Sequence, residues 1–343
     1  MKKQNMSYRV KEVVKNPNLI YYALKRYGWS LDLRRYFCEF SDIDVESPVF
    51  FLGTHGSGLT LISRMLRRNE RVISVSGNHE YWSGADEMAV VMGSILPFEL
   101  GGVKHNIPLN SHFNTTTAWV YASNELIDEY RLTSEDATDE LRNTLLHIIR
   151  WIIHRHAEKR EGSRFTDKSQ VYTVRASLIN KLLEGKNPRF ILVTRNPYVL
   201  AHRAPEKAAA LRQLPSTFTR KDKIKIASQH WKKSMISALN DSKEIDHFTT
   251  IKFEELIRQP KNKIKHLCKV VDIEYDPVMI PRKGDHVPFG SRYRDRWYPL
   301  RKNVNEKHFR NMSKEEIEVV NDEIGMLGHK LGYSLEEALE RSK

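Results

Sequence analysis

The sequence predicts an α/β fold of the P-loop type, with a central parallel β-sheet flanked by helices. Two segments of the 343-residue chain carry this prediction, Pro48 to Leu66 and Arg189 to Arg203. In each, a short apolar run typical of a buried parallel strand is followed by a turn and by apolar residues at helical spacing. No linker rich in glycine, serine or proline divides the chain, so we predict one domain over residues 46–343. The mixed basic and aromatic residues 1–45 predict an N-terminal helical extension.

The turn of the first segment has the composition of a phosphate-binding loop. Its glycines permit backbone conformations that a Cβ resists, so successive N–H groups can converge on an anion at the helix N-terminus. The hydroxyls of Ser57 and Thr60 add further donors. The candidate nucleotide-binding residues are therefore those of the whole loop: Gly53, Thr54, His55, Gly56, Ser57, Gly58, Leu59 and Thr60.

The spacing from Gly53 to Thr60 follows the triphosphate-binding pattern G-x-x-x-x-G-K-[ST], except that Leu59 stands where the lysine belongs. That lysine normally reaches the β and γ phosphates, so its absence suits a 5′ group with less charge than a triphosphate. Kinase and ATPase functions are disfavoured for this reason. Taken alone, the loop is also compatible with an ordinary junction between a strand and a helix.

The second segment places an arginine at the edge of the predicted sheet. The apolar strand Phe190 to Val193 ends in Thr194-Arg195-Asn196-Pro197, and a helical pattern follows. Ligands of open α/β sheets bind at the carboxyl ends of the strands, so the glycine-rich loop and Arg195 are expected to face the same nucleotide.

Together, the loop with its Ser57-Gly58-x-Thr60 and the later strand-Arg195-Asn196-Pro197 resemble the sulfotransferases that use 3′-phosphoadenosine 5′-phosphosulfate (PAPS). The resemblance extends to Thr249–Asp272 and Arg296–Tyr333, and favours the carbohydrate-type and bacterial branches. It implies a sulfotransferase-like α/β fold, with the loop on the 5′-phosphosulfate and Arg195 on the 3′-phosphate. It also implies metal-independent transfer of a sulfonate to a hydroxyl or amine of a carbohydrate-containing acceptor.

Sulfonate transfer needs a base for the acceptor proton and donors for the charge on the leaving group. The resemblance suggests Glu80 as the base, because the carbohydrate branch often places a glutamate in the loop after its second strand. His79 is the neighbouring competitor, and Asp86 and Glu87 are further alternatives. Solvated carboxylates are common on loops, so a solvated Glu80 without a catalytic role stays open.

The chain departs from the family pattern at Gly56, where many members carry a lysine or arginine. Lys168 is the first candidate to replace that cation, because Thr166-Asp167-Lys168-Ser169 resembles a family segment whose lysine points at the transfer site. His55 is the second. An ordinary surface lysine is the alternative for Lys168.

Three further basic positions extend the predicted 3′-phosphate site. Arg203 stands where members often place a serine, and an arginine can grip a phosphate with paired N–H donors. Arg282, Lys283 and Gly284 resemble an R-K-G motif that grips the same phosphate, although a basic surface turn explains three residues equally well. Pro205 to Lys225, charged and flanked by prolines, predicts a mobile segment over the site.

The chain carries 56 Lys and Arg against 43 Asp and Glu, a net charge of +13 that implies anionic ligands. We expect no nucleic-acid partner, because there is no single basic tail or zinc spacing.

Two cysteines and no apolar run of membrane-spanning length predict a cytoplasmic protein without stable membrane insertion. The oligomeric state is left open. Two other functions remain in view, a P-loop phosphotransferase and a noncatalytic protein that binds a nucleotide or an anionic glycan.

Overall fold

The computed structural model describes residues 32–77, 86–102, 111–113, 119–282, 300 and 302–342. Five parallel strands form one sheet within these residues. The strands are β1 Val49–Leu52, β2 Val72–Ile73, β3 Arg164–Asp167, β4 Arg189–Thr194 and β5 Phe248–Lys252. Their order across the sheet is β2-β3-β1-β4-β5. The predicted parallel α/β architecture is confirmed.

Helices cover both faces of this sheet. In chain order they are α1 Arg34–Phe37, α2 Leu59–Leu66, α3 Met88–Val91, α4 Ile127–Tyr130, α5 Asp139–His156, α6 Ala176–Leu182, α7 Pro197–Lys207, α8 Ala209–Gln213, α9 Arg220–Asp241, α10 Phe253–Arg258, α11 Pro260–Val271, α12 Glu306–Phe309, α13 Lys314–Lys330 and α14 Leu335–Arg341. Gly325 interrupts α13 with a non-helical backbone. Short 3₁₀ turns occupy Phe98–Leu100, Ser134–Asp136, Gln170–Val174, Ser242–Glu244 and Pro277–Met279.

The central strand β1 shows why the apolar runs form a buried sheet. Its side chains alternate between two hydrophobic clusters, Phe50 and Leu52 on one face and Val49 and Phe51 on the other. All four are buried, as expected for a parallel strand covered by helices on both sides. Helices α5 and α9 contribute to the first cluster, and α2 and α11 to the second.

The register of the sheet brings the predicted motifs to one edge. Phe50 of β1 lies opposite Asp167 of β3 and Phe190 of β4. At the carboxyl ends of these strands, β1 continues into Gly53, β3 into Lys168 and β4 into Arg195. Segments that are far apart in the sequence therefore meet where ligands of such sheets bind.

Two segments bear on predictions made from the sequence. Pro205 to Lys225 is helical over most of its length, where a mobile segment was expected: Pro205 lies in the last turns of α7, and a reciprocal cap between Thr219 and Asp222 starts α9. Of the predicted N-terminal extension, residues 1–31 lie outside the described residues, while α1 falls within 32–45. The proposed boundary near residue 45 remains a prediction.

Candidate functional site

The loop between β1 and α2 adopts a conformation that depends on glycine. Gly58, at the N-cap of α2, has φ +101°, a left-handed value that side chains rarely adopt. A Cβ at this position would lie 2.3 Å from Cδ2 of Phe253, which follows β5. The Phe253 ring therefore packs directly against the loop backbone and fixes the start of α2.

A threonine from the turn before α6 anchors the other end of the loop. Thr173 Oγ1 accepts a hydrogen bond from Gly53 N at 2.7 Å and donates one to Gly53 O at 3.2 Å. Within the loop, Ser57 N donates to Thr54 O at 3.0 Å. The side-chain hydroxyls of Thr54 and Ser57 are buried and have no hydrogen-bond partner in the part of the chain that the structure describes. Buried hydroxyls are rarely left unpaired, so both remain available to donate to a ligand or to water.

Arg195 braces the loop from the end of β4. Its Nη1 donates to Gly56 O at 2.8 Å, while its Nη2 and Nε donate to Asn305 Oδ1 at 2.7 and 3.2 Å. The guanidinium carbon lies 4.4 Å from the ring centroid of Phe253. Burial and the nearby charge of Arg203 lower the pKa of Arg195 to about 9, so it remains a cation at neutral pH.

Glu254 holds this arrangement together. Its Oε1 accepts hydrogen bonds from Asn196 N at 3.0 Å and from Asn305 Nδ2 at 2.8 Å. The hydroxyl of Tyr333 donates to Oε2 at 3.3 Å. Glu254 thus links the ends of β4 and β5 to the C-terminal helices, and its contacts are those of a structural carboxylate.

Arg203 lies on α7, two turns beyond Arg195. Its Nε is buried without a hydrogen-bond partner among the described residues, and burial lowers its pKa. Its positive charge lowers the pKa values of His55, Arg195 and His308, so these four groups share one region of the site.

His55 packs inside the loop rather than projecting into solvent. Its ring centroid is 4.7 Å from that of Trp119, and Gln170 Nε2 lies 3.0 Å from its Nδ1. Burial lowers the pKa of His55 to about 4, and the charges of Lys168 and Arg203 act in the same direction. The imidazole is therefore neutral near pH 7. Because an amide nitrogen can only donate, Nδ1 accepts and the ring proton lies on Nε2.

Lys168 is buried and already paired with two carboxylates. Its Nζ lies 2.9 Å from Asp86 Oδ1 and 2.7 Å from Glu87 Oε1. Burial opposes the charged amine, but the two carboxylates outweigh it and raise the pKa of Lys168. Asp86 also pairs with Arg67 at 2.8 Å, and these cations hold its pKa below the usual range. Lys168 thus lies beside the loop as part of an ion-pair cluster, and its role in transfer remains a prediction.

Several predicted residues lie outside this description. Glu80, His79, Lys283 and Gly284 fall outside the described residues. Arg282 is described and exposed. The structure brings together the loop, Arg195, Arg203, His55 and Lys168, and leaves the predicted base untested.

Sequence reasoning missed the residues that support the loop. Thr173, Gln170 and Trp119 contact the loop, and Asn305 contacts Arg195, yet none of the four lies in a motif. Asn305 stands in an unremarkable turn before α12, and only its contact with Arg195 reveals its place in the site. A polar residue whose partners are more than a hundred positions away gives no local signal in the sequence.

No group of three or more histidine, cysteine, aspartate or glutamate side chains is arranged to hold a metal ion in the described ranges. A search of the same ranges finds no helix with the length and apolar character needed to cross a membrane.

A glycine-rich loop at the carboxyl edge of a parallel sheet, with arginines beside it, defines an α/β protein with an anion-binding site of the P-loop type. The model of the sulfotransferase family matches residues 48–277, so the chain belongs to that family. The predicted family membership is confirmed.

Solved structures similar to this chain include other sulfotransferases. The sulfotransferase domain from the curacin biosynthetic pathway is 15% identical, with 84% of this chain and 98% of that chain covered and a TM-score of 0.48. The domain from the Synechococcus PCC 7002 olefin synthase is 17% identical, with coverage of 81% and 96% and a TM-score of 0.43. Sulfotransferase STF9 from Mycobacterium avium is 16% identical, with coverage of 75% and 72% and a TM-score of 0.45. No curated protein matches the chain.

Proposed function

We propose that this protein transfers a sulfonate group from PAPS to a hydroxyl or amine of a carbohydrate-containing acceptor. The observation that carries the proposal is the presence of buried donors without a partner in the glycine-rich loop and on the neighbouring helix α7. The buried hydroxyls of Thr54 and Ser57 have no partner in the described part of the chain, and neither has Nε of Arg203. Membership of the sulfotransferase family makes a phosphosulfate donor the ligand that best fits these groups.

In this proposal the two ends of the donor bind to different parts of the edge. The N–H groups and hydroxyls of the loop Gly53 to Thr60 take the 5′-phosphosulfate at the N-terminus of α2. Arg195 uses three of its five N–H groups on Gly56 and Asn305, which leaves two for the 3′-phosphate. Arg203 supplies the second cation for the same phosphate, and Arg282, Lys283 and Gly284 are proposed to bind it as well.

The transfer step follows from this placement. The acceptor oxygen attacks sulfur in line, the bond between sulfur and the phosphate oxygen breaks, and adenosine 3′,5′-bisphosphate leaves with the electron pair. Glu80 is proposed to take the acceptor's proton. His55, neutral with its proton on Nε2, is proposed to donate a hydrogen bond to the transferring group. Lys168, together with the N–H groups of the loop, is proposed to stabilise the departing bisphosphate.

The net charge of +13 is compatible with an acidic glycan as acceptor.

A second candidate function has one observation in its favour. Gly56 carries no side chain where the family places a cation, which is the feature expected of a noncatalytic nucleotide- or glycan-binding protein. Consumption of PAPS with a suitable acceptor distinguishes an enzyme from such a protein.

The donor assignment is tested by calorimetric titration with adenosine 3′,5′-bisphosphate, with ADP and magnesium as the comparison. We expect the bisphosphate to bind preferentially and the Arg195→Ala variant to bind at least about tenfold more weakly, because a charge-assisted phosphate contact is lost. Arg212→Ala removes an exposed arginine from α8 and serves as the matched control. Preference for ADP with magnesium would instead support a phosphotransferase and refute the proposal.

A further inference from the structure

The ring of His55 is contacted by side chains from two segments outside the glycine-rich loop. Gln170 Nε2 lies 3.0 Å from Nδ1 of the imidazole, and the Trp119 ring packs on it with a centroid distance of 4.7 Å. His55 is only partly buried, whereas Trp119 is buried. Gln170 therefore occupies one nitrogen of the ring, and Nε2 is left without a hydrogen-bond partner among the described residues.

The turn that carries Gln170 is fixed to the loop that carries His55. Gln170 begins the 3₁₀ turn Gln170–Val174. In that turn, Thr173 forms two hydrogen bonds with the backbone of Gly53, at 2.7 and 3.2 Å. The backbone carbonyl of Gln170 also accepts a hydrogen bond from the hydroxyl of Tyr121 at 2.6 Å. These contacts set the backbone position from which the Gln170 amide reaches the imidazole.

The segment that carries Trp119 is fixed to α9. The backbone N–H of Ala122 donates to Nδ1 of His230 at 3.1 Å, and the Tyr121 ring stands edge-on to the same imidazole, with the centroids 4.4 Å apart. The side chain of His230 is buried. Tyr121 thus contacts α9 through its ring and Gln170 through its hydroxyl. The two segments that contact the loop histidine are therefore bound to each other and to the core.

The partner at Nδ1 decides which ring nitrogen of His55 carries the proton. A neutral imidazole has one N–H and one lone pair, and an amide nitrogen can only donate. The Gln170 amide therefore occupies the lone pair of Nδ1 and leaves the N–H at Nε2. Burial lowers the pKa of His55 to about 4, so the ring stays neutral near pH 7. In this state the ring has no free lone pair with which to accept a proton.

We propose that Gln170 is a positioning residue of the transfer site: it holds His55 in the tautomer with the proton on Nε2, so that the ring donates a hydrogen bond to the transferred sulfonate and does not take the acceptor's proton. The role toward the sulfonate rests on the proposed function, whereas the tautomer is a property of the free protein. A sulfonate oxygen accepts hydrogen bonds and would be repelled by a lone pair at Nε2. The acceptor's proton must then go to another group, which is the role proposed for Glu80.

The test is NMR spectroscopy of the protein with isotope-labelled histidine ring nitrogens. Correlations between these nitrogens and the carbon-bound ring protons distinguish a protonated from an unprotonated nitrogen and so identify the tautomer. The chain has 14 histidines, so the His55 signals are identified by their absence from the spectrum of His55→Phe. Near pH 7 we expect a protonated Nε2 and an unprotonated Nδ1 in the unmodified protein.

Gln170→Glu replaces the amide by a carboxylate of the same size, which can only accept hydrogen bonds. We expect Nδ1 to carry a proton in this variant, because a carboxylate pairs with an N–H and repels a lone pair. Nδ1 is also protonated if the carboxylate raises the pKa of the ring enough to charge it. Gln259→Glu, which changes an exposed glutamine between α10 and α11, is the matched control and should leave the tautomer of His55 unchanged.

An unprotonated Nε2 in the unmodified protein would overturn the inference, as would an unchanged tautomer in folded Gln170→Glu. If that variant does not fold, the tautomer of the unmodified protein decides. Addition of PAPS without an acceptor then tests the ligand, because the Nε2 resonance should shift when its proton meets a sulfonate oxygen. An unmoved resonance with PAPS bound would overturn the role of His55 toward the sulfonate. Absence of PAPS binding would overturn the proposed function and leave the tautomer result standing.

Discussion

The ion-pair cluster around Lys168 makes a quantitative prediction about stability. Lys168→Met keeps most of the buried stem but removes the ammonium that lies between Asp86 and Glu87. Removing one partner of a buried ion pair costs about 3–5 kcal/mol, because the other charge is left without compensation. Asp86 keeps Arg67 at 2.8 Å, so we expect a loss near the lower end, about 3 kcal/mol in the free energy of unfolding.

The measurement is urea denaturation near pH 7. The folded pKa of Asp86 is lowered. Its contribution to the free energy of unfolding is therefore present above the unfolded pKa of about 3.9 and disappears as the pH falls through the folded pKa. The folded pKa of Lys168 is raised, so its contribution is present below about 10.4 and is lost as pH rises through the folded pKa. Neutral pH therefore lies inside the window in which the whole cluster is charged.

Lys186→Met is the matched control. Lys186 pairs with Asp44 at 2.7 Å, but the Asp44 side chain is 73% exposed, so its loss should cost less than about 1 kcal/mol. Adding Glu87→Gln to Lys168→Met should recover part of the lost stability, because it removes one uncompensated carboxylate. Equal destabilisation by the Lys168 and Lys186 variants would refute the reasoning.

Three further variants test the rest of the site. Gly58→Ala introduces a Cβ at φ +101°, 2.3 Å from an aromatic carbon of Phe253, and should abolish measurable bisphosphate binding. Gly185→Ala is the control, because Gly185 has a similar φ of +82° but open space around it. This control should cost only about 1–2 kcal/mol in the free energy of unfolding and leave binding intact. Asn305→Ala leaves two donors of Arg195 without their acceptor. It should lower the free energy of unfolding by about 1–3 kcal/mol, measured by urea denaturation, and weaken bisphosphate binding. Unchanged stability and binding would exclude a role of Asn305 in holding Arg195. Burial raises the folded pKa of Asp167 to about 6, above its unfolded value of about 3.9. The free energy of unfolding should therefore fall by about 3 kcal/mol as the pH rises from about 4 through 6, because the buried carboxyl must ionise. Asp167→Asn should show a smaller loss over that range, and parallel stability profiles would contradict this.

The parts of the fold that sequence reasoning predicted are those specified by local pattern. The apolar run Val49 to Leu52 followed by three glycines predicts a strand, a turn and a helix, because each element is encoded by adjacent residues. Arg195 was placed at the sheet edge for the same reason, since it directly follows an apolar strand. The helical content of Pro205 to Lys225 was not evident from its charge and prolines, because Pro205 is accommodated near the end of α7, and the mobility of this segment stays a prediction.

The contacts between distant segments escaped prediction. Lys168 looked like a candidate for the missing cation, yet its carboxylate partners come from the segment that precedes α3, about 80 residues earlier in the chain. Asn305 is separated by 110 residues from the arginine that it holds. Burial and pairing of charges are set by tertiary packing, so no local pattern of residues reveals which lysine is paired and which arginine lacks a partner.

Gly56 stands where the family pattern has a lysine or arginine, and neighbouring side chains pack closely against it. Gly56 has φ +89°, and a Cβ there would lie 3.1 Å from Leu200 Cδ2 and 3.3 Å from Trp119 Cη2. Leu200 and Trp119 thus occupy the space into which a lysine or arginine would have to extend, and Trp119 also packs on His55. A Cβ at position 56 would therefore press on both side chains. A cation that serves the transferred group is therefore expected from another element, and Lys168, at the end of β3, remains the first candidate.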